Sequence, residues 1–266
     1  MPQFNNMSVA QRPELHIFYV LDTSGSMRGT PINVLNAAMD STIDAVRQVA
    51  MANANAKVKV AAMEFNSNVR WVQPNGPEDL DDFFWDPLTA SGNTYVGMAL
   101  KELDSKLRPE AYLRSPTGAL LPVIIFMTDG YAVDDYESAL NKIRQNKWFS
   151  RATRIGFAIG KKPDVEMISK LAGSSEAVIR TDDLGVFANM MRFVSVTSSM
   201  LQSQGRPTDN VNRGAEAVRN AAQMGGYDVD QFTPNVSFEE DYIPDSAWDP
   251  NGNGVYVNPG DYGVNY

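Results

Sequence analysis

The feature that most constrains the fold is a short apolar run followed by a long stretch with helical periodicity. The run Leu15–Leu21 shows no alternation of polar and apolar residues, which is typical of a strand covered on both faces. Residues 31–52 then place apolar side chains at intervals of three and four, the spacing of an amphipathic helix. Val123–Met127 begins a similar strand-then-helix unit later in the chain. We therefore predict an α/β fold, a doubly wound and mainly parallel central sheet with helices on both faces.

The rest of the first 200 residues continues this alternation of strands and helices. We predict further strands at 58–65, 69–72, 154–159 and 177–179, and further helices at 94–106, 136–146, 165–171 and 184–200. The strand at 69–72 is expected to form a hairpin with 58–65 across residues 66–68. Residues 74–77 and 108–122 are predicted loops because prolines and glycines interrupt them. We expect the aromatic residues Phe83, Phe84 and Trp85 to pack beneath the loop that precedes Ser91.

Small oxygen-bearing side chains lie in three segments: two directly follow predicted strands, and the third, 91–94, leads into the helix predicted at 94–106. Asp22, Ser24 and Ser26 come directly after the first strand, and Asp129 comes directly after the strand at 123–127. In a parallel sheet of this kind, ligands bind beyond the carboxyl ends of the strands. Carboxylate and hydroxyl oxygens are hard ligands that suit Mg²⁺, Mn²⁺ or Ca²⁺. The Asp-x-Ser-x-Ser segment alone fits a helix cap better, so the metal interpretation depends on the later loops.

The three segments together resemble the metal-ion-dependent adhesion site of von Willebrand factor A domains. The likeness is carried by Asp22, Ser24 and Ser26, then Thr94, then Asp129, in that order along the chain. It covers roughly residues 13–200. Within the family, the segments Val20–Met27 and Asn93–Leu103 are most similar to the bacterial tellurium-resistance-associated, TerY-like group.

The resemblance implies roles for these residues. The hydroxyls of Ser24 and Ser26 would bind the cation directly, and Thr94 would bind it directly or through water. Asp22 and Asp129 would act mostly through water and hold the serines in place. One position would stay free for an acidic residue of a partner protein. We therefore expect a cation-dependent protein-interaction module, not an enzyme, with Mg²⁺, Mn²⁺ or Ca²⁺ as its cofactor.

An enzyme that uses the same oxygen-rich site is the alternative, a metal-dependent phosphatase or another hydrolase. A Ser–His–Asp triad requires a histidine near the serine. The chain contains one histidine, His16, which lies six positions before Asp22, roughly 20 Å away along the predicted strand. An aspartyl-nucleophile phosphatase would have a second carboxylate two residues after Asp22, where this chain has Ser24. A nucleotide-binding role would require a phosphate-binding glycine loop, and none follows any predicted strand.

Composition limits the classes of partner and the cellular location that we expect. The net charge is −9, which argues against nucleic acid as a partner. The sequence has no cysteine and no 18-residue apolar run, and the first 12 residues lack a signal-peptide core, so we expect a cytoplasmic protein that does not span a membrane. Similarity to the TerY-like group further implies a scaffold or regulator in a bacterial stress-response or signalling system. A kinase or phosphatase of the same system would then be a partner.

Charge divides the chain into three parts. Ten acidic residues against three arginines give residues 205–266 a net charge of −7, and no basic residue follows Arg219. We predict an N-terminal arm at 1–12, a von Willebrand factor A domain at 13–204, and an acidic extension at 205–266. A short helix is expected at 214–224. Beyond it, we expect the extension to dock through aromatic residues, with Phe232, Phe238, Tyr242 and Trp248 as the anchors.

Overall fold

The computed structural model describes residues 12–52, 55–203, 213–234 and 256–257. These residues form one mainly parallel sheet with helices on both faces, as the sequence predicts. The strands are β1 (Glu14–Asp22), β2 (Lys57–Phe65), β3 (Val69–Trp71), β4 (Glu78–Asp79), β5 (Ala119–Leu120), β6 (Val123–Thr128), β7 (Thr153–Ile159), β8 (Val178–Thr181) and β9 (Tyr256–Val257). The helices are α1 (Thr30–Ala52), α2 (Val96–Lys106), α3 (Tyr136–Ile143), α4 (Lys147–Ser150), α5 (Val165–Ala172), α6 (Leu184–Ser203) and α7 (Arg213–Gly225).

The order of the main strands is β3-β2-β1-β6-β7-β8, with β1 in the middle of the sheet. All neighbours from β2 to β8 along this path are parallel. The predicted hairpin is present, because β3 pairs antiparallel with β2 and Phe65 faces Val69. The three shortest pairings lie off this path: β4 joins β2, β5 joins β1, and β9 joins β5.

Every residue of β1 is buried, which explains why its sequence does not alternate. Its odd-numbered side chains, such as Leu15 and Ile17, face a core shared with α1, α6 and α7. Its side chains at positions 18 and 20 face a second core shared with α2, α3 and α5. Tyr19 is buried in the first core, and its hydroxyl donates to Ser195 Oγ of α6 at 3.0 Å.

Some predicted boundaries are wrong, and each has a local physical reason. The helix predicted at 136–146 ends at Ile143, because the side chain of Asn146 accepts the Trp148 N–H at 2.9 Å and starts α4. The loop predicted at 108–122 contains β5, which is too short to show a pattern in sequence. Among the three aromatic residues expected to pack, Phe83 is buried but Phe84 is 80% exposed.

The start of α2 also differs from the prediction. The helix begins at Val96 instead of Thr94. Thr94 stays in the preceding loop, where its carbonyl accepts the N–H of Val133 at 3.0 Å. This placement matters for function, because it keeps the Thr94 side chain at the edge of the sheet.

The helix predicted in the acidic extension is present as α7, and it packs into the same core as α1 and α6 through Ala217, Val218 and Ala221. Phe232 also packs there, and its carbonyl accepts the Arg180 N–H of β8 at 2.9 Å. The division of the chain at residue 204 stays a prediction from composition. The other predicted anchors, Phe238, Tyr242 and Trp248, lie outside the described residues.

One described helix, α6, is long and apolar enough to cross a membrane by length and composition alone. Half of its most apolar window is buried inside the protein. The helix packs between α1 and α7, and buried side chains such as Met190, Met191 and Val194 face the core. These contacts are those of a core helix.

Candidate metal centre

The first loop of the site is a continuation of the buried strand β1. Asp22 and Ser24 are buried, and the Asp22 carboxylate turns back to accept the Ser24 N–H at 2.7 Å. Its second oxygen accepts a hydrogen bond from the Thr128 hydroxyl at the end of β6. Thr23 fixes the loop on the other side, because its N–H donates to the Phe65 carbonyl of β2 at 2.9 Å. Asp22 is therefore committed to shaping the loop with both of its oxygens.

Side chains that follow two different strands, β1 and β6, meet at Ser26. Ser24 Oγ and Ser26 Oγ are 2.9 Å apart. The Ser26 hydroxyl donates to Asp129 Oδ1 at 2.7 Å, which joins the loop after β1 to the loop after β6. The structure thus brings Ser24, Ser26 and Asp129 together, although Ser26 and Asp129 are 103 positions apart along the chain.

Thr94 belongs to the same group of oxygens. A Cβ atom placed on Gly130 would lie 3.5 Å from Thr94 Oγ1 and 3.9 Å from Ser26 Oγ, so both hydroxyls border the same small space beside Gly130. Thr94 is buried, Asp129 is half-buried and Ser26 is exposed. The five residues predicted from the sequence therefore share one place, which opens to solvent on the Ser26 side.

The loop that carries Thr94 is held against the first loop by backbone hydrogen bonds. The Gly25 N–H donates to the Gly92 carbonyl at 2.9 Å, and the Ser91 N–H donates to the Thr23 carbonyl at 2.8 Å. Gly92 has a φ of +75°, and a Cβ there would lie 2.6 Å from Ser67 Oγ. Only glycine adopts this conformation without strain in so little space.

Asp134 fastens the second loop to the third. Its two carboxylate oxygens accept the N–H groups of Gly97 and Met98, each at 2.9 Å, and so cap the first turn of α2. Gly97 has no room for a side chain, since a Cβ would lie 2.8 Å from Asp134 Oδ2. The loop after β6 therefore carries both Asp129 and the carboxylate that fixes the Thr94 loop.

The two acids of the site have pKa values above the ordinary range. Burial raises the pKa of Asp22 to about 6, although hydrogen bonds from Thr128 and Ser24 oppose the shift. The nearby Asp129 carboxylate adds a smaller increase. Burial also raises the pKa of Asp129, against the hydrogen bond from Ser26. A carboxylate with a raised pKa lacks sufficient positive charge around it, which is the condition that a cation would relieve.

These residues fit a hard divalent cation. The site offers three hydroxyl groups and two carboxylates, all oxygen donors of the kind that Mg²⁺, Mn²⁺ and Ca²⁺ accept. Among the residues that the structure describes, no group of three or more His, Cys, Asp or Glu side chains could hold a metal. The candidate centre contains only two carboxylates, and the rest of its donors are hydroxyls.

His16 lies away from this centre, as the sequence indicates. It is fully buried near the start of β1, and burial lowers its pKa to about 3, with the charge of Lys59 adding to the effect. Its Nε2 lies 3.8 Å from Glu14 Oε2. His16 therefore cannot act as the base for Ser24 at the opposite end of the strand.

Sequence reasoning missed two residues that shape the site. Thr128 lies between the strand predicted at 123–127 and Asp129, but no local signal shows that its hydroxyl donates to Asp22. Asp134 looks like an ordinary cap before α3, whereas the cap of α3 is Asp135 and Asp134 serves α2. Both interactions depend on how the strands are ordered in the sheet.

Comparison with known proteins supports the resemblance to von Willebrand factor A domains. The family model of the von Willebrand factor type A domain matches residues 16–193. A comparison with curated proteins gives no match.

Several solved structures have the same fold. A von Willebrand factor type A protein from Catenulispora acidiphila is 17% identical with a TM-score of 0.53, over 75% of this chain and 44% of that one. The pilus adhesin SpaC from Lactobacillus rhamnosus GG is 11% identical with a TM-score of 0.53, over 70% and 31%. Mussel byssus proximal thread matrix protein 1, with zinc in its MIDAS motif, is 18% identical with a TM-score of 0.50, over 71% and 46%. This chain therefore spans less than half the length of each of these proteins.

Proposed function

Because this chain belongs to the von Willebrand factor type A domain family, we propose that it binds partner proteins through a divalent cation. The cation would be held by Ser24, Ser26 and Thr94, with Asp22 and Asp129 around them. Domains of this family commonly act as metal-dependent interaction modules, and one structural neighbour, the mussel byssus protein, is described with zinc in its MIDAS motif.

The observation that carries the proposal is the pair of contacts made by the Ser26 hydroxyl. It lies 2.9 Å from Ser24 Oγ and donates to Asp129 Oδ1 at 2.7 Å. Side chains from two separate loops thus present oxygen atoms to one exposed point. A helix cap would satisfy backbone N–H groups of its own helix instead, and the Ser24 side chain makes no such bond to the short helical turn at Gly25–Met27.

The arrangement suits recognition of an acidic group. A cation held largely by neutral hydroxyls keeps much of its positive charge, and it can supply a Lewis-acidic position for a partner's carboxylate. Asp22 is hydrogen-bonded through both oxygens and keeps the Ser24 backbone in place. Asp129 orients the Ser26 side chain by accepting a hydrogen bond from its hydroxyl. A protein segment that offers an Asp or Glu side chain is therefore the partner class that fits.

The sequence also yields narrower predictions, on subgroup, biological role, partner, metal and location, which the contacts above do not test. The TerY-like assignment depends on the likeness of Val20–Met27 and Asn93–Leu103. A role in tellurium resistance or another bacterial stress response follows from that assignment. A kinase or phosphatase partner follows from it as well. Mg²⁺ as the bound cation follows from the oxygen donors and the family resemblance, and a cytoplasmic location follows from composition. They stay predictions.

Calorimetric titration with Mg²⁺, Mn²⁺, Ca²⁺ and Zn²⁺ tests the metal step. We expect one binding event per chain, lost in Asp129→Ala and Ser24→Ala. Asp182→Ala is the matched control, because Asp182 is an exposed acid that follows β8 at the same edge of the sheet. A loss of binding in the control, or its persistence in both site variants, would contradict the proposed ligands.

Selection from a displayed library of random heptapeptides tests the partner step. The Mg²⁺-loaded protein should select peptides that contain Asp or Glu, and EDTA should release them. Replacing the acidic residue of a selected peptide by its amide should abolish binding. If the library yields no metal-dependent acidic peptides, the interaction proposal fails. Robust phosphatase or esterase turnover that disappears in Ser24→Ala would favour the hydrolase alternative.

A further inference from the structure

Three exposed apolar side chains lie close to Thr94 and Asp129 along the chain: two are on the loop that carries Asp129, and one is in the first turn of α2, just after the Thr94 loop. Met98 is 38% exposed, while Tyr131 and Val133 are each 60% exposed. We name these three residues the apolar rim. Scattered exposed apolar residues are normal on a protein surface, so exposure alone does not indicate a binding site. What distinguishes these three is that they lie next to the candidate metal centre. The other large exposed apolar side chains of the described residues lie on other segments, namely Met51, Phe84, Met200 and Met224.

The apolar rim is held in a fixed shape next to the candidate metal centre. The Val133 N–H donates to the Thr94 carbonyl at 3.0 Å. The Met98 N–H donates to Asp134 Oδ2 at 2.9 Å, so Met98 and Val133 lie on adjoining segments of chain. Between the two exposed residues of the third loop, Ala132 packs against the core. Tyr131 and Val133, on either side of Ala132, are exposed.

The charges on the loops of the candidate metal centre favour an acidic partner. The acids of the third loop are engaged within the protein, since Asp134 caps α2 and Asp135 accepts the Ser138 N–H of α3 at 3.1 Å. Arg28 is exposed on the first loop, where its Nε donates to the Ala90 carbonyl at 3.3 Å. A cation at the centre would add positive charge to the same surface.

We infer that the apolar rim selects, among acidic partners, those in which a large apolar side chain lies within two or three residues of the metal-binding Asp or Glu. This inference rests on the proposed function, because the acidic residue is positioned by the cation. The apolar neighbour then buries its surface against Tyr131 and Val133. Aromatic residues such as Tyr contribute strongly when an interface covers them.

The double variant Tyr131→Ser/Val133→Ser tests the inference, and Met51→Ser is its matched control. Met51 is 77% exposed in the last turn of α1, which starts near the metal loops and runs away from them. We expect Mg²⁺ affinity and the far-UV circular dichroism spectrum to be unchanged in both. Heptapeptides selected on the unmodified protein should bind the double variant at least ~10-fold more weakly and bind the control normally.

A second arm alters the peptide. Replacing its apolar neighbour by Ser should weaken binding to the unmodified protein by a similar factor and cause little further loss in the double variant, which shows that the two changes remove one contact. Acidic peptides selected without an enriched apolar neighbour, or equal binding by the double variant and the control, would overturn the rim inference alone. A failure to select any metal-dependent acidic peptide would overturn the proposed function together with it.

Discussion

Replacement of Asp22 by asparagine separates the charge of this residue from its shape. The asparagine side chain has the same size, its oxygen can accept the Ser24 N–H, and its amide can donate to the Thr128 hydroxyl, so both observed contacts survive. The ionised carboxylate is disfavoured by burial, which raises the pKa of Asp22 from 3.8 to about 6. A difference of about two pH units corresponds to about 3 kcal/mol of folding free energy at pH 7.5.

The sign of this effect follows from proton binding. The unfolded chain releases the Asp22 proton near pH 3.8, and the folded protein holds it until about pH 6. As pH rises between these values, ionisation therefore favours the unfolded state, and the penalty is complete above about pH 6. Without metal, Asp22→Asn should be more stable than the unmodified protein by about 2–3 kcal/mol at pH 7.5, relative to the difference at pH 4.

Urea unfolding in EDTA at pH 4 and pH 7.5 measures this difference directly. The other titrating groups are common to the two proteins, so their contributions cancel except for that of Asp129, which interacts with the Asp22 charge. Saturating Mg²⁺ should stabilise the unmodified protein but leave the variant unchanged. If the stability of the variant relative to the unmodified protein is the same at pH 4 and pH 7.5, the claim that a buried, uncompensated carboxylate lies at this centre is refuted.

Three further outcomes follow from the contacts around the site. Asp134→Ala removes the cap of α2, so urea unfolding should show a loss of about 1–2 kcal/mol, and calorimetry should show weaker metal binding. Gly92→Ala introduces strain at positive φ against Ser67, and thermal unfolding should show a loss of about 1–3 kcal/mol. The pKa of His16 is lowered to about 3, so its burial destabilises the folded protein as pH falls from 6.5 towards 3. His16→Leu should reduce that acid-induced loss in urea titrations between pH 7 and pH 4.

The sequence was sufficient to predict features that depend on local pattern. The buried strand β1 lacks alternation, and α1 has a clear apolar stripe, so both were found within one residue of their observed ends. The rule that parallel strands end at one edge of the sheet predicts that Asp22 and Asp129 lie at the same edge. The predicted meeting of Ser24 with Asp129 is present through the hydroxyl of Ser26.

Features that depend on tertiary contact could not be read from the sequence. Asp134 caps α2 by accepting the N–H of Gly97, 37 residues earlier in the chain, whereas local rules assign it to the helix that follows. Thr94 has the appearance of a first helical residue, but its carbonyl pairs with Val133 and delays the helix to Val96. The two-residue strand β5 is too short for any periodicity, and it exists only because β1 lies beside it.

A crystal structure of the protein with Mn²⁺, measured at a wavelength where manganese scatters anomalously, tests the central claim most directly. We expect one anomalous peak at the centre, with the Oγ atoms of Ser24 and Ser26 as direct ligands and Asp129 within hydrogen-bonding reach of the bound waters. The peak should vanish in crystals of Asp129→Ala and remain in those of Asp182→Ala. A saturating Mn²⁺ soak that leaves this point empty, or places the metal on other residues, would contradict the account.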